Sequence, residues 1–226
     1  MHILSIGQVI ENTTLDIDSI TVSDLTEEID IAQYDYIIIS GGDGTIRRVL
    51  KQIHACKHLP PFILNPTGSF NVIAKLHRVP KLAHVLHRLE EGKILQSNTQ
   101  KVYKLNEEVF LFSAGNMGDL QHIFLSENLR FGLLEKGIAK YLLAMLFLFP
   151  IHLIMTPFML MSKRRFFIFT PLSFIKKFGS FYGRVEEMTI ELKNAHNFVE
   201  LDGDVVTIES STLSIGTKHS VQIATQ

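Results

Sequence analysis

The sequence lacks the features that mark disulfide-bonded secreted proteins and nucleic-acid-binding proteins. Its single cysteine, Cys56, excludes an internal disulfide. The 22 Lys and Arg nearly balance 23 Asp and Glu, and a formal net charge of −1 gives no global basic excess for nucleic acid. Residues 1–10 carry no cationic leader of the signal-peptide type. We therefore expect a reducing, cytoplasmic setting and no nucleic-acid partner.

The chain does contain enough apolar material for a folded core, since 46% of its 226 residues are hydrophobic. The apolar run Ile37–Ile39 leads into the glycine-rich string Ser40–Thr45. From Ile46 to Ile53 the apolar residues recur at helical spacing. This order predicts a buried parallel strand, a tight turn and a helix.

The same order of features then repeats. Pro61–Leu64 predicts a second strand, Asn65–Ser69 a second glycine-bearing turn and Phe70–Leu76 a second helix. A third amphipathic helix is predicted over Lys81–Glu91, and Gly92 follows its end. We place a domain boundary after this glycine, which gives an N-terminal α/β domain over residues 1–92.

Beyond Gly92 the pattern changes to short segments of mostly alternating polarity, which favour antiparallel strands. These segments are Lys101–Leu105, Val109–Phe112, Met188–Leu192, Phe198–Leu201, Thr212–Ile215 and Val221–Ala224. The predicted fold class is therefore α/β, with a parallel sheet in the N-terminal domain and a reduced, β-rich, sandwich-like domain over residues 93–226.

The first glycine turn is a candidate phosphate site. Gly41, Gly42 and Gly44 allow close backbone approach, and a helix start presents N–H groups and partial positive charge. Asp43 would repel phosphate unless Mg²⁺ stood between them. A tight turn without a ligand explains the same residues equally well. Neither a P-loop nor a Rossmann glycine motif occurs at this turn.

The second turn has the same character, with Ser69 or Asn71 available to cap the following helix. Taken together, Ser40–Thr45 and Pro66–Ala74 resemble the paired GGDGT and PxGTxNDxA motifs of the diacylglycerol and sphingosine kinase family. Further strings follow in that family's order: Ser113–Asn116, Gly137–Tyr141 and Leu201–Asp204. The last is similar to the family's D-G-E hairpin, although Asp-Gly is also the commonest signal for any short hairpin.

The resemblance implies an ATP- and Mg²⁺-dependent lipid kinase that phosphorylates the hydroxyl of diacylglycerol or a related long-chain lipid. Residues 1–92 would bind the nucleotide and residues 93–226 the lipid. Asp202 would act as the general base, and Asp43 and Asp204 would be metal ligands. The implied nucleotide-binding residues are Gly41, Gly42, Asp43, Gly44, Thr45, Pro66, Thr67, Gly68, Ser69 and Asn71.

Several positions depart from the family pattern. Val72 stands where the second motif carries an aspartate, Asn98 stands where another is expected, and Ile6–Val9 replaces an N-P-x-x-G strand end. The interval from Tyr141 to Asp202 is shorter than the family's. Two alternatives therefore stay open: a catalytically impaired lipid- or nucleotide-binding member of the fold, and a small-molecule kinase of the NAD kinase type, which shares GGDG.

The chain between Glu135 and Glu186 contains no acidic residue. Its basic and aromatic part, residues 163–184, predicts reversible contact with an anionic membrane surface and a location peripheral to the membrane. The apolar segment Tyr141–Met161 fits a buried helix and strand, a lipid-entry wall or a membrane span. Pro150 and Pro157 disfavour one continuous helix.

Overall fold

The computed structural model describes residues 1–11, 13–26, 29–53, 58–116, 157–158 and 160–225. Cys56, the Gly137–Tyr141 motif and most of the Tyr141–Met161 segment lie outside these ranges. The chain divides into two compact units. The first contains Met1–Val102 and Lys218–Gln226, and the second contains Tyr103–Thr217.

Fourteen strands are found in the described ranges. They are β1 (His2–Ile6), β2 (Asp16–Ile20), β3 (Tyr36–Gly41), β4 (Phe62–Pro66), β5 (Ser97–Leu105), β6 (Glu108–Phe110), β7 (Ser113–Gly115), β8 (Phe167–Phe169), β9 (Lys177–Phe178), β10 (Phe181–Tyr182), β11 (Met188–Glu191), β12 (His196–Leu201), β13 (Asp204–Glu209) and β14 (Thr212–Ala224). The helices are α1 (Asp43–Ile53), α2 (Val72–Leu76) and α3 (Leu82–Glu90), with 3-10 turns at Ile31–Gln33 and Thr170–Leu172.

The first unit is built on parallel strands in the order β2-β1-β3-β4-β14, the last contributed by the C-terminal end of β14. Strand β3 runs between two parallel neighbours, which explains its continuous isoleucine run. Ile3, Ile38 and Ile63 form one core cluster with Val85 and Leu89 of α3. Helix α1 packs on β3. Because all neighbours are parallel, the carboxyl ends of β1, β3 and β4 lie at one edge of the sheet.

The described part of the second unit consists mainly of β-strands. Its six-stranded sheet has the order β13-β12-β7-β8-β10-β9. Outside this sheet, β11 pairs antiparallel with the first part of β14, and β6 pairs antiparallel with the end of β5. Side chains from both sets of strands, including Phe110, Ile190, Leu201 and Leu213, share one core. The predicted α/β class, with a parallel sheet followed by a β-rich region, is confirmed.

The two units divide after Val102, whereas the sequence placed the boundary after Gly92. The difference arises because β5 begins at Ser97, in the first unit, where Ser97 and Thr99 bond Gln222 of β14. The chain's last residues, from Lys218, also return to the first unit. Gly92 nevertheless terminates α3 as expected, with φ +73° and its N–H donating to the carbonyl of Leu89.

Candidate functional site

The two predicted glycine turns lie side by side at the carboxyl edge of the parallel sheet. Strand β3 leads into Gly42 and the start of α1, and β4 leads into the turn Thr67–Asn71. The Thr67 N–H donates to the carbonyl of Gly41 over 3.1 Å, which joins the turns directly. Thr67 and Gly68 are exposed, so this part of the backbone is open to solvent.

Glycine is required where the turns approach each other. A Cβ placed on Gly68 would lie 2.6 Å from the Gly42 Cα and 2.8 Å from the Asn71 Oδ1. A Cβ on Gly42 would lie 3.3 Å from the Gly68 Cα. Separations under 3.0 Å do not occur for real Cβ atoms, so a side chain on Gly68 would push the turns apart. The motif glycines therefore create a narrow backbone contact that no other residue type allows.

Asp43 ties the first turn to the second. Its Oδ2 accepts the Val72 N–H over 2.7 Å, and its Oδ1 accepts the Ile73 N–H over 3.0 Å. Asp43 is 7% exposed. Burial raises the pKa of its carboxyl above the ordinary 3.8, while the bonds from Ile73 and Val72 and the charge of Lys75 partly oppose that rise. The Asp43 carboxyl group thus caps the start of α2.

This geometry corrects the cap predicted on Ser69 or Asn71. Asn71 occupies the N-cap position, but with φ +50° and no side-chain bond to the helix. Its amide instead closes the preceding turn, because Oδ1 accepts the Gly68 N–H and Nδ2 donates to the Gly68 carbonyl. The helix consequently begins at Val72, two residues later than its predicted start at Phe70.

A third turn joins the same edge at the end of β1. Gly7 has φ +93°, and a Cβ there would lie 2.7 Å from the Ser40 carbonyl oxygen. The Asn65 Nδ2 donates to the Gln8 Oε1 and the Ser40 Oγ, each over 3.0 Å. Sequence reasoning did not assign these polar groups to the site. Their positions at or just beyond the carboxyl ends of β1, β3 and β4 were the available signal.

The remaining predicted nucleotide-binding residues occupy the same two turns. Gly44 and Thr45 lie in the first turn of α1 and are half-buried, and Pro66 and Ser69 are exposed. The Thr45 hydroxyl accepts a long 3.4 Å bond from Arg48. The structure therefore brings all ten predicted nucleotide-binding residues to one edge of the first unit.

The predicted base, Asp202, belongs to the second unit and lies in the turn between β12 and β13. It is 3% exposed and has φ +51°, followed by Gly203 with φ +92°. Its Oδ2 accepts the Leu111 N–H over 2.6 Å. Its Oδ1 accepts the N–H groups of Phe112 and Ser113 over 2.9 and 3.0 Å. The predicted Asp-Gly hairpin is present, with an added role in holding the 111–113 backbone.

A second buried carboxylate stands beside it. Glu200 is 4% exposed, and its Oε1 accepts the Ser113 hydroxyl over 2.8 Å and the Gly203 N–H. Ser113 therefore contacts both acids, donating its N–H to Asp202 and its hydroxyl to Glu200. Glu200 is a candidate functional residue that the sequence motifs do not indicate. In the sequence it lies within a strand, which suggests only a structural role.

The metal prediction has less geometric support. Within the described ranges, no three His, Cys, Asp or Glu side chains are grouped so as to hold a metal ion. Asp204 is half-buried at the start of β13, opposite Leu201. Each Asp43 oxygen accepts one backbone N–H group, and the metal coordination predicted for Asp43 and Asp204 stays a prediction.

No helix among the described residues is long and apolar enough to cross a bilayer.

Comparison with known proteins finds similarity over the part of the chain that carries the glycine turns. Residues 8–102 match the family model of the diacylglycerol kinase catalytic domain. A stretch of 115 residues, 50% of the chain, is 27% identical to a Streptococcus pneumoniae serotype 4 protein provisionally named a lipid kinase. That match spans 38% of the relative's length, well under two thirds of it.

Two solved structures have a fold similar to that of this chain. A protein of Bacillus anthracis str. Sterne provisionally named a diacylglycerol kinase aligns with a TM-score of 0.57 at 14% identity. A diacylglycerol kinase structure from the same strain aligns with a TM-score of 0.54 at 13% identity. Each alignment covers 100% of this chain and 97% of the other. The resemblance indicated by the paired glycine motifs is thereby confirmed: residues 8–102 are similar to the diacylglycerol kinase catalytic domain, and the chain has a similar fold to these solved structures.

Proposed function

We propose that this protein transfers the γ-phosphoryl group of ATP to the hydroxyl of diacylglycerol or a related long-chain lipid. The observation that carries the proposal is the contact between Gly42 and Gly68, which joins two backbone turns at the carboxyl edge of a parallel sheet. Ligands of open α/β sheets bind at this edge. The family match over residues 8–102 supports a phosphoryl-transfer role for these turns.

The turns fit a polyphosphate for a steric and an electrostatic reason. No side chain fits between Gly42 and Gly68, so the backbone itself can approach phosphate oxygens. The first turn of α1 adds the partial positive charge of a helix N-terminus. In this proposal the residues from Gly41 to Thr45 and from Pro66 to Asn71 hold the nucleotide, and catalysis rests on positioning and charge stabilisation.

The metal would arrive with the nucleotide, because Mg²⁺ bound to phosphates keeps most of its ligands as water and phosphate oxygens. Asp43 contributes by fixing the second turn through Val72 and Ile73. The predicted coordination by Asp43 and Asp204 stays a prediction, and loss of activity on chelation of Mg²⁺ tests the metal requirement as a whole.

For Asp202 we retain the proposed role of general base, with one condition that its contacts impose. A base must have an oxygen within hydrogen-bond reach of the acceptor hydroxyl. Asp202 is nearly buried and accepts three backbone N–H groups from residues 111–113. Proton transfer to Asp202 therefore requires that the acceptor hydroxyl can approach its carboxylate alongside the three N–H groups of residues 111–113.

A peripheral location at the cytoplasmic membrane surface is proposed from the second unit's exposed groups. Phe174 is 77% exposed and Phe178 is 67% exposed, and Lys176 and Lys177 lie between them. Aromatic groups that insert at a bilayer interface beside lysines suit reversible binding to anionic lipid.

A second candidate function is a lipid- or nucleotide-binding protein with impaired catalysis. The observation in its favour is that both acids assigned to catalysis and metal binding, Asp43 and Asp202, are buried among backbone N–H donors. Val72 also supplies only its N–H where the family carries an aspartate. Such a protein would bind nucleotide without turning it over.

A lipid-panel phosphorylation assay separates these functions. The full chain is incubated with radiolabelled ATP and vesicles containing diacylglycerol, ceramide or sphingosine, with and without Mg²⁺, and NAD is offered as a soluble acceptor. We expect labelled lipid from one vesicle type and none without Mg²⁺. Labelled NAD with unlabelled lipid would overturn the lipid assignment. Nucleotide binding without any labelled product would support the second candidate.

A further inference from the structure

A cavity of about 470 Å³ lies within the second unit, away from the Asp202 turn in sequence. It is formed by the chain segment before β8, by β9 and β10 with the turn between them, and by one residue of β11. Its lining residues are Leu160, Met161, Ser162, Lys163, Arg165, Lys177, Gly179, Ser180, Tyr182 and Ile190. A cavity of this size holds a small molecule or a lipid headgroup.

The cavity's charge is of one sign. Lys163, Arg165 and Lys177 line it, and the described lining residues include no Asp or Glu. In the part of the chain that the structure describes, none of these three forms an ion pair, whereas the neighbouring Lys176 pairs with Glu186 over 3.2 Å. Three cations that line one cavity, with no carboxylate among its described lining residues, favour an anionic ligand.

The walls of the cavity are held by buried hydrogen bonds. Ser180 is 5% exposed, and its hydroxyl shares its one hydrogen between the carbonyls of Leu160 and Ser162, at 3.0 and 2.6 Å. The Ser180 N–H also donates to Leu160 over 2.8 Å. Gly179 has φ +58°, and a Cβ there would lie 2.4 Å from the Leu160 carbonyl oxygen. The segment bearing Lys163 is therefore fixed against the β9–β10 turn.

Two of the cations are positioned by further contacts. The Arg165 guanidinium donates from Nη1 to the Asn116 carbonyl over 2.6 Å. The Lys177 Nζ lies 5.0 Å from the centre of the Tyr182 ring, within cation–π range. Each group keeps further N–H donors that these contacts do not use.

Exposed apolar side chains lie at or next to the cavity. Met161 lines the cavity and is 83% exposed, and Phe178, between the lining residues Lys177 and Gly179, is 67% exposed. Exposed apolar side chains next to a cationic cavity match an amphiphile whose charged group enters the cavity. An ion without an apolar part would leave Met161 and Phe178 in water.

We propose that this cavity binds the phosphate group of an anionic phospholipid, with Met161 and Phe178 against its acyl chains. The site is separate from the residues assigned to nucleotide and base, and it rests on the membrane contact proposed above. Lys163, Arg165 and Lys177 would donate hydrogen bonds to the phosphate oxygens. The contributions of Lys163 and Lys177 to the binding affinity can be removed by substitution, because both side chains are exposed.

The test uses the full chain without ATP and a soluble short-chain phosphatidic acid, titrated by calorimetry. Lys163→Gln and Lys177→Gln should each weaken binding about fivefold, and the double variant more than about tenfold. Lys176→Gln is the matched control, since it removes the same charge from the adjacent exposed position, and it should change binding by less than about twofold. Circular dichroism checks that each variant is folded.

Two further measurements test which ligand binds and whether it binds in the cavity. Inorganic phosphate at the same concentration should compete poorly, and equal competition would overturn the lipid assignment in favour of a free-phosphate site. Sedimentation with vesicles containing phosphatidic acid tests the general membrane contact. If Lys176→Gln and Lys177→Gln weaken both assays equally, diffuse surface charge explains the binding and the cavity is not a site. Absence of short-chain lipid binding in the wild-type protein would also overturn the proposal.

Discussion

At the scale of single residues, Asp43 shows how one carboxyl group can hold one glycine-bearing turn against another. Its two oxygens accept N–H groups from residues 29 and 30 positions away, which fixes the start of α2 beside the first glycine turn. The α2 helix has five residues and no side-chain cap of its own. The position of the second turn therefore depends on an acid supplied by the first.

Asp43→Asn should consequently destabilise the protein. The asparagine side chain has one acceptor oxygen, whereas the aspartate has two. The N–H of either Val72 or Ile73 would therefore lose its acceptor and face the NH₂ group of the new side chain. We expect the free energy of unfolding to fall by about 1–3 kcal/mol, measured by urea denaturation. Asp30→Asn is the control, because Asp30 is an exposed cap of a 3-10 turn and asparagine caps equally well. Equal effects of the two changes would contradict the role given to Asp43.

The pKa of Asp43 sets the sign of a pH effect. Because burial raises this pKa above 3.8, the folded protein binds more protons than the unfolded chain in the interval above 3.8. Stability from this group is therefore present at low pH and is lost as pH rises through the folded pKa. The stability difference between wild type and Asp43→Asn should shrink as pH rises above about 4 in parallel urea titrations. A difference that grows with pH would show a carboxylate favoured in its ionised form.

Asp202 can be tested for a role in chemistry separately from its role in structure. Asp202→Asn leaves a buried N–H of the 111–113 turn unpaired, which should cost about 1–3 kcal/mol of stability. If Asp202 is also the base, kcat should fall by at least about a hundredfold in the folded fraction. Ser113→Ala removes only the hydroxyl bond to Glu200 and should lower stability while leaving kcat within about threefold. Unchanged kcat in Asp202→Asn would exclude the base role.

At the scale of elements, the close contact of two strand-to-helix turns is the feature most sensitive to added volume. Gly68→Ala should separate the turns, because its Cβ would lie 2.6 Å from the Gly42 Cα. We expect a stability loss of about 1–3 kcal/mol and weaker ATP binding by at least about tenfold, measured by calorimetry. Gly216→Ala is the control, since its nearest atoms would be at 3.5 and 3.7 Å. Retained ATP affinity in Gly68→Ala would remove these turns from the nucleotide site.

The elements with strong local signals could be predicted from the sequence. The isoleucine run of β3, the apolar stripe of α1 and the helix before Gly92 were all found near their observed bounds. Strand β2 was missed because its sequence, DIDSI, places acids between apolar residues and shows no apolar run. Strand β14 was predicted as two strands, because Gly216 and the polar residues 217–220 interrupt its alternation. Strands β7 to β10 have only two or three residues each, too few for a periodic signal.

The glycine turns of the site were also predictable, whereas the contacts that organise them were not. Glycines and hydroxyls at strand ends are local patterns that a single sequence displays. The bonds from Asp43 to α2 and from Asp202 to residues 111–113 join positions 30 and about 90 residues apart. Such pairs depend on the register of the whole sheet, so they emerge only once the strands are in place.

At the scale of the whole molecule, the proposed function places the acceptor in a membrane and the phosphate donor in water. An exposed surface with Phe174, Phe178 and several lysines would concentrate the enzyme on anionic vesicles before any chemistry occurs. Binding of this kind acts on substrate capture and leaves the transition state unchanged, so it lowers KM without raising kcat.

Kinetics on two vesicle compositions test this directly. With diacylglycerol in vesicles containing anionic lipid, the apparent KM should be at least about tenfold lower than in neutral vesicles, at the same kcat. Raising the salt concentration to about 1 M should remove the difference, because the Debye length falls to about 3 Å and the lysines no longer sense the surface. Equal KM values on both vesicles at low salt would exclude electrostatic capture. Equal turnover of a soluble short-chain diol without vesicles would assign the protein to small-molecule phosphorylation, since nothing in that reaction requires a membrane-facing surface.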